Sequence, residues 1–483
     1  MNDISVSIEK LFFDYKNIQP SNIIKLPKSG GDRIYYRVFY NEDGKINSVI
    51  ATYSSNIKEN KFFIYCTEHF KKKQLAVPVI YAINEDYSIY IQQDLGTESL
   101  LSVLLKKGKT AEVLNLYKKS FEALSQLQIK GSEGFDFKKC LIAENFDEQQ
   151  VLNDLNYFKY YFVDLLKIDY NKSILSLEFK KIASILGNAP YKYFMFRDFQ
   201  GRNIIVNNDE VNFIDYQGGM KGPLAYDLAS ILWQAKAELP DEWKDDLFNF
   251  YFECIKKELP EINKKEFIES YNNFTFLRIL QVLGAYGFRG LIEKKTHFLS
   301  SISGGLINLK SIQNKIFPDI EIPELRKVIS KITEEKIVEK FSFQNSNDSG
   351  QLIVNINSFS FIERGYPEVN TGDGGGFVFD CRGILNPGRI DQYKQLTGRD
   401  EPVINYLQTE TKMDKWLTSV FAVVDVTVEN YIERNFSNLI INFGCTGGRH
   451  RSVYAADSLS IHLKEKFGVK TIVKHLEQNF DEV

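Results

Sequence analysis

Patterns of apolar and polar residues divide the chain into three stretches with different predicted structure. Residues 24 to 96 hold short apolar runs separated by turn signals such as Asp43-Gly44, which predicts a strand-rich lobe with one helix, Glu59 to about Gln74. From Thr97 to about Thr333 the apolar residues recur mainly at helical spacing. Beyond residue 350, strand and helix patterns alternate, which is typical of an α/β layer.

The composition is that of a soluble globular protein. The 483 residues, of which 43% are hydrophobic and 25% charged, give room for two or three domains. A net charge of −3 argues against a general binder of nucleic acid or membrane surfaces, and five scattered cysteines argue against a disulfide framework or a zinc site. The N-terminus has no apolar segment flanked by positive charge, and no run of eighteen apolar residues occurs. We therefore expect a cytoplasmic protein without membrane contact.

Composition shifts suggest where the domains end. The run from Gln344 to Gly350 is free of apolar residues, as in a linker, and it follows a charged helical segment from Lys327 to Lys340. We predict a small N-terminal lobe over residues 1–96, a helical lobe over 97–335, a linker over 336–350 and an α/β domain over 351–483.

The chemical motif of the helical lobe is Asp198, followed after four residues by Asn203. Two β-rich runs come next, 204–206 and 211–214, and predict a hairpin that brings Asn203 and Asp215 together. Phosphoryl transfer needs a carboxylate to deprotonate a hydroxyl and oxygen ligands that hold Mg²⁺ on the phosphates of ATP. The pattern predicts an ATP-dependent kinase; the other interpretation is that these are ordinary turn and cap residues.

Charged neighbours of this motif have two open roles. Arg197 and Arg202 would either neutralise the transferring phosphate or pair with acidic residues, and Arg202, beside Asn203, is favoured as a second candidate catalytic residue. Asp227 is interpreted as capping or bracing a helix from Leu228 to Ala237 rather than doing chemistry.

Two sets of residues in the first lobe are candidates for nucleotide binding. A glycine pair lets main-chain N–H groups approach phosphates, and the hinge between lobes is where an adenine would meet main-chain groups. The sets are Ser29, Gly30, Gly31, Asp32 and Arg33, and at the hinge Gln93 and Asp94. The third strand lacks the lysine that usually touches ATP phosphates in kinases, and Thr52 lies near its expected place. Plain turns are the alternative, and the missing lysine leaves room for a degenerate, ligand-sensing kinase fold.

Several segments together resemble the aminoglycoside-phosphotransferase superfamily, and within it the AmgK-type branch of anomeric sugar kinases. They are FRDFQGRN, FIDYQGGMKGPLAYDLASILW, SGGDRIYYRV and QQDLG, and the resemblance covers roughly residues 1 to 335. It implies a bilobal protein-kinase-like fold of the α+β class and phosphorylation of N-acetylmuramate and N-acetylglucosamine in cell-wall recycling. It also implies Asp198 as catalytic base and Asn203 and Asp215 as Mg²⁺ ligands. The branch resembles this chain in lacking the strand lysine.

A glycine-rich loop between a buried strand and a helix predicts an anion site in the third stretch, because its N–H groups would point at a ligand at the helix N-terminus. Arg449 and Arg451 would add bidentate donors. The loop residues are Gly444, Cys445, Thr446, Gly447, Gly448, Arg449, His450, Arg451 and Ser452. The spacing from Cys445 to Arg451-Ser452 also fits the cysteine phosphatases, although no partner acid can be singled out.

The segments FDCRGILNP, LTGRDEPVINYL and INFGCTGGRHRSVYAADSL resemble the C-terminal domain of the RNase-adaptor family RapZ over roughly residues 350 to 480. This implies binding of a phosphorylated amino sugar, such as glucosamine 6-phosphate, by Asp380, Arg382, Asn386 and the 444–452 loop. That family's Walker motif and basic tail are absent from this chain. Residues 345–483 carry 14 Lys and Arg against 18 Asp and Glu, which disfavours RNA binding.

We therefore expect an ATP- and Mg²⁺-dependent amino-sugar kinase with a C-terminal phosphosugar-binding domain that senses or regulates amino-sugar flux. A different class stays open, a non-catalytic regulatory adaptor. Its degenerate kinase lobes would bind nucleotide without transfer, and its third stretch would dock a protein or RNA.

Overall fold

The computed structural model describes residues 2–27, 33–293, 295–313, 317, 320–342, 352–366, 376–434 and 436–478. The chain forms two compact units, Met1–Gly284 with Gly304–Glu334 and Ala285–Ser303 with Glu335–Val483. Over the described ranges, no helix combines the length and the apolar character needed to cross a lipid bilayer.

The first unit opens with a five-stranded antiparallel sheet and two helices. The helices are α1 (Asn2–Lys16) and α2 (Ile57–Lys72), and the strands are β1 (Asn22–Lys25), β2 (Ile34–Glu42), β3 (Lys45–Tyr53), β4 (Ile80–Ile83) and β5 (Ile89–Gln93). The strand order is β1-β2-β3-β5-β4. The predicted helix in this lobe is confirmed as α2; it begins two residues earlier than predicted because the Asn56 side chain caps it by accepting from the Glu59 N–H.

One face of this sheet forms a core with α1, a helix that the apolar pattern did not predict. Alternate strand residues point to opposite faces, and Tyr36, Val38 and Ala51 are buried together with Ile8 and Phe12 of α1. The other face carries the intervening residues, among them Tyr35, Thr52 and Tyr90.

The rest of the first unit is mainly helical, as predicted. It contains two small antiparallel pairs of strands. One pair is β6 (Lys192–Met195) with β9 (Met220–Pro223), and the other is β7 (Ile204–Asn207) with β8 (Glu210–Phe213). Between residues 97 and 342 the helices are α3 (Leu100–Lys107), α4 (Ala111–Ser132), α5 (Glu148–Phe158), α6 (Lys172–Gly187), α7 (Leu224–Leu232), α8 (Asp241–Glu258), α9 (Lys264–Tyr286), α10 (Thr296–Leu299), α11 (Ser301–Ile312), α12 (Pro323–Ile332) and α13 (Glu335–Ser342). Of these, α10 and α13 belong to the second unit. Helix α13 occupies the start of the predicted 336–350 linker, and residues 343–351 lie outside the described residues.

The C-terminal part of the second unit is a layer of strands and helices, as predicted. Its elements are β10 (Ile353–Ser360), β11 (Gly376–Asp380), α14 (Glu401–Thr409), α15 (Met413–Glu433), β12 (Asn438–Cys445), α16 (Arg451–Phe467) and β13 (Lys470–His475). The sheet is parallel throughout, in the order β11-β12-β10-β13. Because parallel strands end at the same edge, Ser360 lies in register with Cys445, and Asp380 with Gly444.

Candidate active site

The β7–β8 hairpin places three polar side chains at one point of the helical lobe. Its strands pair from Ile204 with Phe213 to Asn207 with Glu210, so the residues before and after it lie side by side. The Asn203 Nδ2 atom lies 3.5 Å from Asp215 Oδ2 and donates to the Asp198 main-chain oxygen at 2.9 Å. The three residues that the sequence singled out are therefore neighbours in the fold.

Two arginines and a glutamine hold the Asp198 carboxylate. Arg202 Nη2 donates to Oδ2 at 3.1 Å, whereas Arg278 Nη2 donates to Oδ1 at 3.2 Å and Gln200 donates to the same oxygen. The Asp198 side chain keeps 36% of its surface exposed. It is thus fixed in orientation and still open to a hydroxyl group from solvent, as a general base must be.

Arg278 was missed by sequence reasoning. It lies in α9, 80 residues from Asp198, and is buried; its Nε donates to Ser230 Oγ at 3.0 Å and a further bond goes to Gln281. The local signal for it in the sequence is that Arg278 interrupts the largely apolar run from Phe274 to Leu283. A charged side chain in such a run is expected to be buried and to need an ionic or hydrogen-bond partner.

Asp227 supports the loop that carries Asp198, which corrects its interpretation as a cap or brace of its own helix. It lies inside α7 and is fully buried; its carboxylate accepts from the main-chain N–H groups of Phe196 at 2.7 Å and Arg197 at 2.9 Å, and from Gln128 Nε2 at 2.8 Å. Burial raises the pKa of Asp227 to about 7, and the three N–H donors oppose that rise.

The two arginines of the motif have different partners. Arg197 donates to Asp154 of α5 at 2.7 Å, and its guanidinium carbon lies 5.1 Å from the Phe146 ring centre and 5.7 Å from that of Tyr226. Of the two roles considered for Arg197, phosphate contact and pairing with an acidic residue, the structure shows the pairing. Arg202 pairs with Asp198 and leaves 49% of its side chain exposed, so it is near enough to contact a ligand there.

The donor set at the hairpin base fits a magnesium ion shared with phosphates. The hydrogen bond from Asn203 Nδ2 to the Asp198 carbonyl fixes which end of the amide is oxygen. Asp215 adds a carboxylate, one oxygen of which accepts from Gln217 Nε2 at 2.7 Å. No group of three or more His, Cys, Asp or Glu side chains that could hold a metal occurs in the described part of the chain. An amide and a carboxylate suit Mg²⁺, whose remaining ligands are usually waters and substrate phosphates.

The candidate nucleotide residues of the first lobe fall into three groups in the structure. At the hinge, Asp94 accepts from Arg37 Nε at 2.6 Å and Ser48 Oγ at 2.7 Å, and Gln93 Oε1 accepts from the Val79 N–H at 3.3 Å. These side chains are occupied by protein partners, which leaves adenine contacts to the main chain. Arg33 is buried and pairs with Glu59 of α2 at 2.9 Å. The predicted residues Ser29, Gly30, Gly31 and Asp32 lie outside the described residues.

The predicted anion loop lies between β12 and α16, at the carboxyl edge of the parallel sheet. Cys445 is buried, with its Sγ 3.1 Å from Ser452 Oγ. Arg451 Nη1 donates to the Ile384 carbonyl at 2.7 Å and Nη2 donates to Thr446 Oγ1 at 3.1 Å. Arg451 therefore ties the loop to the segment after β11 instead of standing free over the loop.

The other predicted anion-site residues lie in two places beside this loop. Asp380 and Arg382 form an ion pair at 2.6 Å after β11, and the Arg382 hydrogen bonds lower the pKa of Asp380. Asn386 accepts from the Gly388 N–H at 3.2 Å, and Gly388 lies close against His450. Burial lowers the pKa of His450, whose Nε2 lies 3.0 Å from the Tyr393 carbonyl.

Two loop features remain suited to an anion. Gly448 has φ +63, a conformation that frees successive N–H groups to point the same way. Arg449 Nε is buried and has no hydrogen-bond partner among the residues that the structure describes. A buried donor without an acceptor favours binding of one.

Comparison with known proteins finds family matches over two separate stretches of the chain. Residues 48–261 match the family described as phosphotransferase enzyme family, and residues 352–479 match the RapZ C-terminal domain. A curated relative from Endomicrobium trichonymphae, named nucleotide-binding protein, is 32% identical over 175 residues, which make up 34% of this chain and 56% of the relative. The chain spans about half the length of the curated relatives it matches.

Two solved structures are similar to the chain at low identity. A choline kinase from Cryptosporidium parvum is 14% identical, with a TM-score of 0.47, over 68% of this chain and 100% of that one. The amicoumacin kinase hAmiN, in complex with AMP-PNP, Ca²⁺ and Ami, is 10% identical, with a TM-score of 0.46, over 67% of this chain and 96% of that one.

The family matches agree with the architecture described above, and the predicted fold class is confirmed. The AmgK-type branch within the superfamily stays a prediction. The chain combines an α+β, kinase-like fold of the aminoglycoside phosphotransferase type with a separate C-terminal domain similar to that of RapZ.

Proposed function

We propose that the first unit is an ATP-dependent phosphotransferase for a small-molecule amino sugar, with the anomeric hydroxyl of N-acetylmuramate or N-acetylglucosamine as acceptor in cell-wall recycling. The observation that carries the proposal is the half-exposed Asp198 carboxylate, fixed by Arg202 and Arg278 next to the Asn203–Asp215 pair. A hydroxyl acceptor and a metal-bound phosphate would meet at this point.

In this mechanism Asp198 orients the acceptor hydroxyl and takes its proton. An anomeric hydroxyl is more acidic than an ordinary alcohol, so a well-positioned carboxylate suffices as base. Mg²⁺, when bound by Asn203 and Asp215, neutralises phosphate charge. Arg202 is near enough to Asp198 to contact the transferring group, and Asp227 fixes the loop that presents Asp198.

Two arginines beside Asp198 provide donors for the oxygens of a sugar acceptor. Arg202 and Arg278 both reach the Asp198 carboxylate, and Arg202 keeps 49% of its side chain exposed for such contacts. The test is ATP consumption by the full chain with N-acetylmuramate, N-acetylglucosamine, choline and gentamicin. We expect turnover with the sugars; turnover with choline or gentamicin alone would contradict the proposal.

Replacing Arg278 by glutamine is expected to lower kcat by about tenfold while KM for ATP changes little. Arg278 acts on the orientation of Asp198 and not on the nucleotide, and one lost charged hydrogen bond corresponds to about 1.5 kcal/mol. Steady-state kinetics with varied ATP separates the two constants. Arg326→Gln is the control, because Arg326 donates to the main-chain carbonyls of Gln313 and Phe317. An equal fall of kcat in both variants would contradict a specific role for Arg278.

We propose that the C-terminal domain binds a phosphorylated amino sugar and regulates the kinase. The glycine-rich loop, with the unpartnered Arg449 Nε, supports an anion site, and the resemblance to RapZ supports this ligand class. Calorimetric titration of the full chain with glucosamine 6-phosphate is expected to show binding that Arg449→Ala weakens at least about tenfold, the effect of one charged contact. Arg434→Ala, at the end of α15, is the control. Lack of binding at millimolar ligand would contradict the proposal.

A non-catalytic adaptor is the second candidate function, and the absence of a lysine at Thr52 favours it. Nucleotide binding without turnover on any sugar would support the adaptor.

Phosphatase activity at Cys445 is a third candidate, because Ser452 Oγ lies 3.1 Å from the Cys445 Sγ atom in the glycine-rich loop. Phosphomonoester hydrolysis that survives Cys445→Ser would exclude the thiol as nucleophile.

A further inference from the structure

The face of the five-stranded sheet opposite α1 carries a cluster of polar and aromatic side chains. Tyr35 of β2 pairs in register with Thr52 of β3, and Thr52 pairs with Tyr90 of β5, so the three residues form a row across the sheet. Thr52 is completely buried and lies near the position where kinases usually carry a lysine. The row itself therefore brings no cation to the nucleotide phosphates.

Arg33 brings a cation to the same face from the residue directly before β2. Its side chain is only 7% exposed, and Nη2 lies 2.9 Å from Glu59 Oε1 of α2. The guanidinium carbon lies 5.3 Å from the centre of the Phe63 ring, also on α2. The contact with Glu59 is an ion pair without hydrogen-bond geometry: within the described residues, the buried Nε and Nη2 atoms donate to no acceptor. Among the residues that the structure describes, these two nitrogens therefore lack the acceptor that buried donors normally have.

The surroundings of Arg33 connect it to the magnesium ligand Asp215. Phe63 also stacks on Tyr216, the residue after Asp215, with ring centres 5.1 Å apart. Phe63 thus contacts both the Arg33 guanidinium and the residue that follows Asp215.

We propose that Arg33 is the phosphate-contacting cation of this chain, supplied from the start of β2 in place of the missing lysine on β3, and that Glu59 orients it. The ligand is the phosphate chain of a nucleoside triphosphate, whose oxygens supply the acceptors that Nε and Nη2 lack. A guanidinium suits this task because its planar N–H groups match phosphate geometry. The inference rests on the proposed phosphotransferase function. The sequence pattern gave Arg33 only as a member of the set around the Gly30-Gly31 pair, without this role.

The test moves the positive charge from Arg33, directly before β2, to position 52 on β3. Arg33→Gln keeps the length and polarity of the side chain and removes the charge, and we expect it to raise the Kd of a fluorescent ATP analogue with Mg²⁺ by at least about tenfold. The double variant Arg33→Gln/Thr52→Lys restores a cation at the usual strand position, and it is expected to recover most of the lost affinity. Arg33→Lys should be intermediate. Thermal unfolding of each variant without nucleotide tells whether the fold is kept.

Lys61→Ala is the matched control, because Lys61 is a cation on α2, the helix that carries Glu59, but lies over the Tyr87 ring, 4.6 Å from its centre. Affinity within twofold of the wild type in Arg33→Gln would overturn the proposal, and so would a double variant as weak as Arg33→Gln. The measurement uses nucleotide alone. A chain that binds nucleotide through Arg33 and phosphorylates no sugar would therefore contradict the proposed function and leave this inference intact.

Discussion

Asp198→Asn is expected to lower kcat for sugar phosphorylation by about 10³-fold and to leave the Kd for nucleotide within about twofold. The amide of asparagine cannot take the proton of the acceptor hydroxyl, whereas the nucleotide is held by other residues. Asparagine also keeps one oxygen for the bonds from Arg278 and Gln200, so the loop should keep its conformation. Single-turnover measurements of phosphate transfer, with sugar and ATP saturating, give the rate of the chemical step.

Asp209→Asn is the control for this substitution. Asp209 lies in the exposed turn of the same hairpin, at φ +61, a conformation that asparagine adopts readily. Both substitutions replace an aspartate by an asparagine, and Asp209 lies close to Asp198 along the chain. If Asp198→Asn retained more than a tenth of the wild-type rate, or if both variants lost activity equally, Asp198 would not be the base.

Asp227→Asn is expected to change how the stability of the protein depends on pH. The pKa of Asp227 is raised to about 7 in the folded protein, against 3.8 for the ordinary group. The folded state therefore binds this proton more tightly than the unfolded state. The stabilisation is fully present below about pH 4 and is lost as the pH rises through 7; a shift of about three units corresponds to about 4 kcal/mol. Urea unfolding followed by tryptophan fluorescence at pH 5 and pH 8 should show the wild type losing more stability than the variant.

The same substitution should slow phosphate transfer. An asparagine offers one oxygen to the N–H groups of Phe196, Arg197 and Gln128, so at least one buried donor loses its acceptor, at a cost of about 1–3 kcal/mol. Glu178→Gln is the control, since Glu178 is a buried acid that also accepts from two main-chain N–H groups, those of Glu324 and Leu325. It should reduce stability without lowering kcat. Parallel pH curves for the wild type and Asp227→Asn would contradict the raised pKa.

The sequence predicted those parts of the site that depend on local structure. The hairpin follows from two β-rich runs and a polar turn, and it brings Asn203 and Asp215 together without help from distant residues. The parallel sheet and the loop before α16 follow in the same way from strand and helix patterns.

Contacts between distant residues could not be predicted. Arg278 reaches Asp198 across 80 residues, and Glu59 reaches Arg33 across a strand pair, so neither partner is marked by its neighbours in the chain. Asp227 was misassigned because its helix begins at Leu224, after Pro223, and not at the predicted residue 228. This shift moves Asp227 from the start of the helix to its buried face, where it binds another segment.

The contact between α2 and the residue after Asp215 has a thermodynamic consequence. Phe63 stacks on Tyr216, and Thr67 Oγ1 of the same helix lies 2.7 Å from the Tyr216 hydroxyl, so α2 packs directly against the segment that follows Asp215, the proposed metal ligand. Coupling between two binding equilibria is reciprocal. Suppose that a molecule stabilises one position of α2 and thereby raises the affinity for metal and nucleotide by some factor. The affinity of the protein for that molecule must then rise by the same factor when metal and nucleotide are bound.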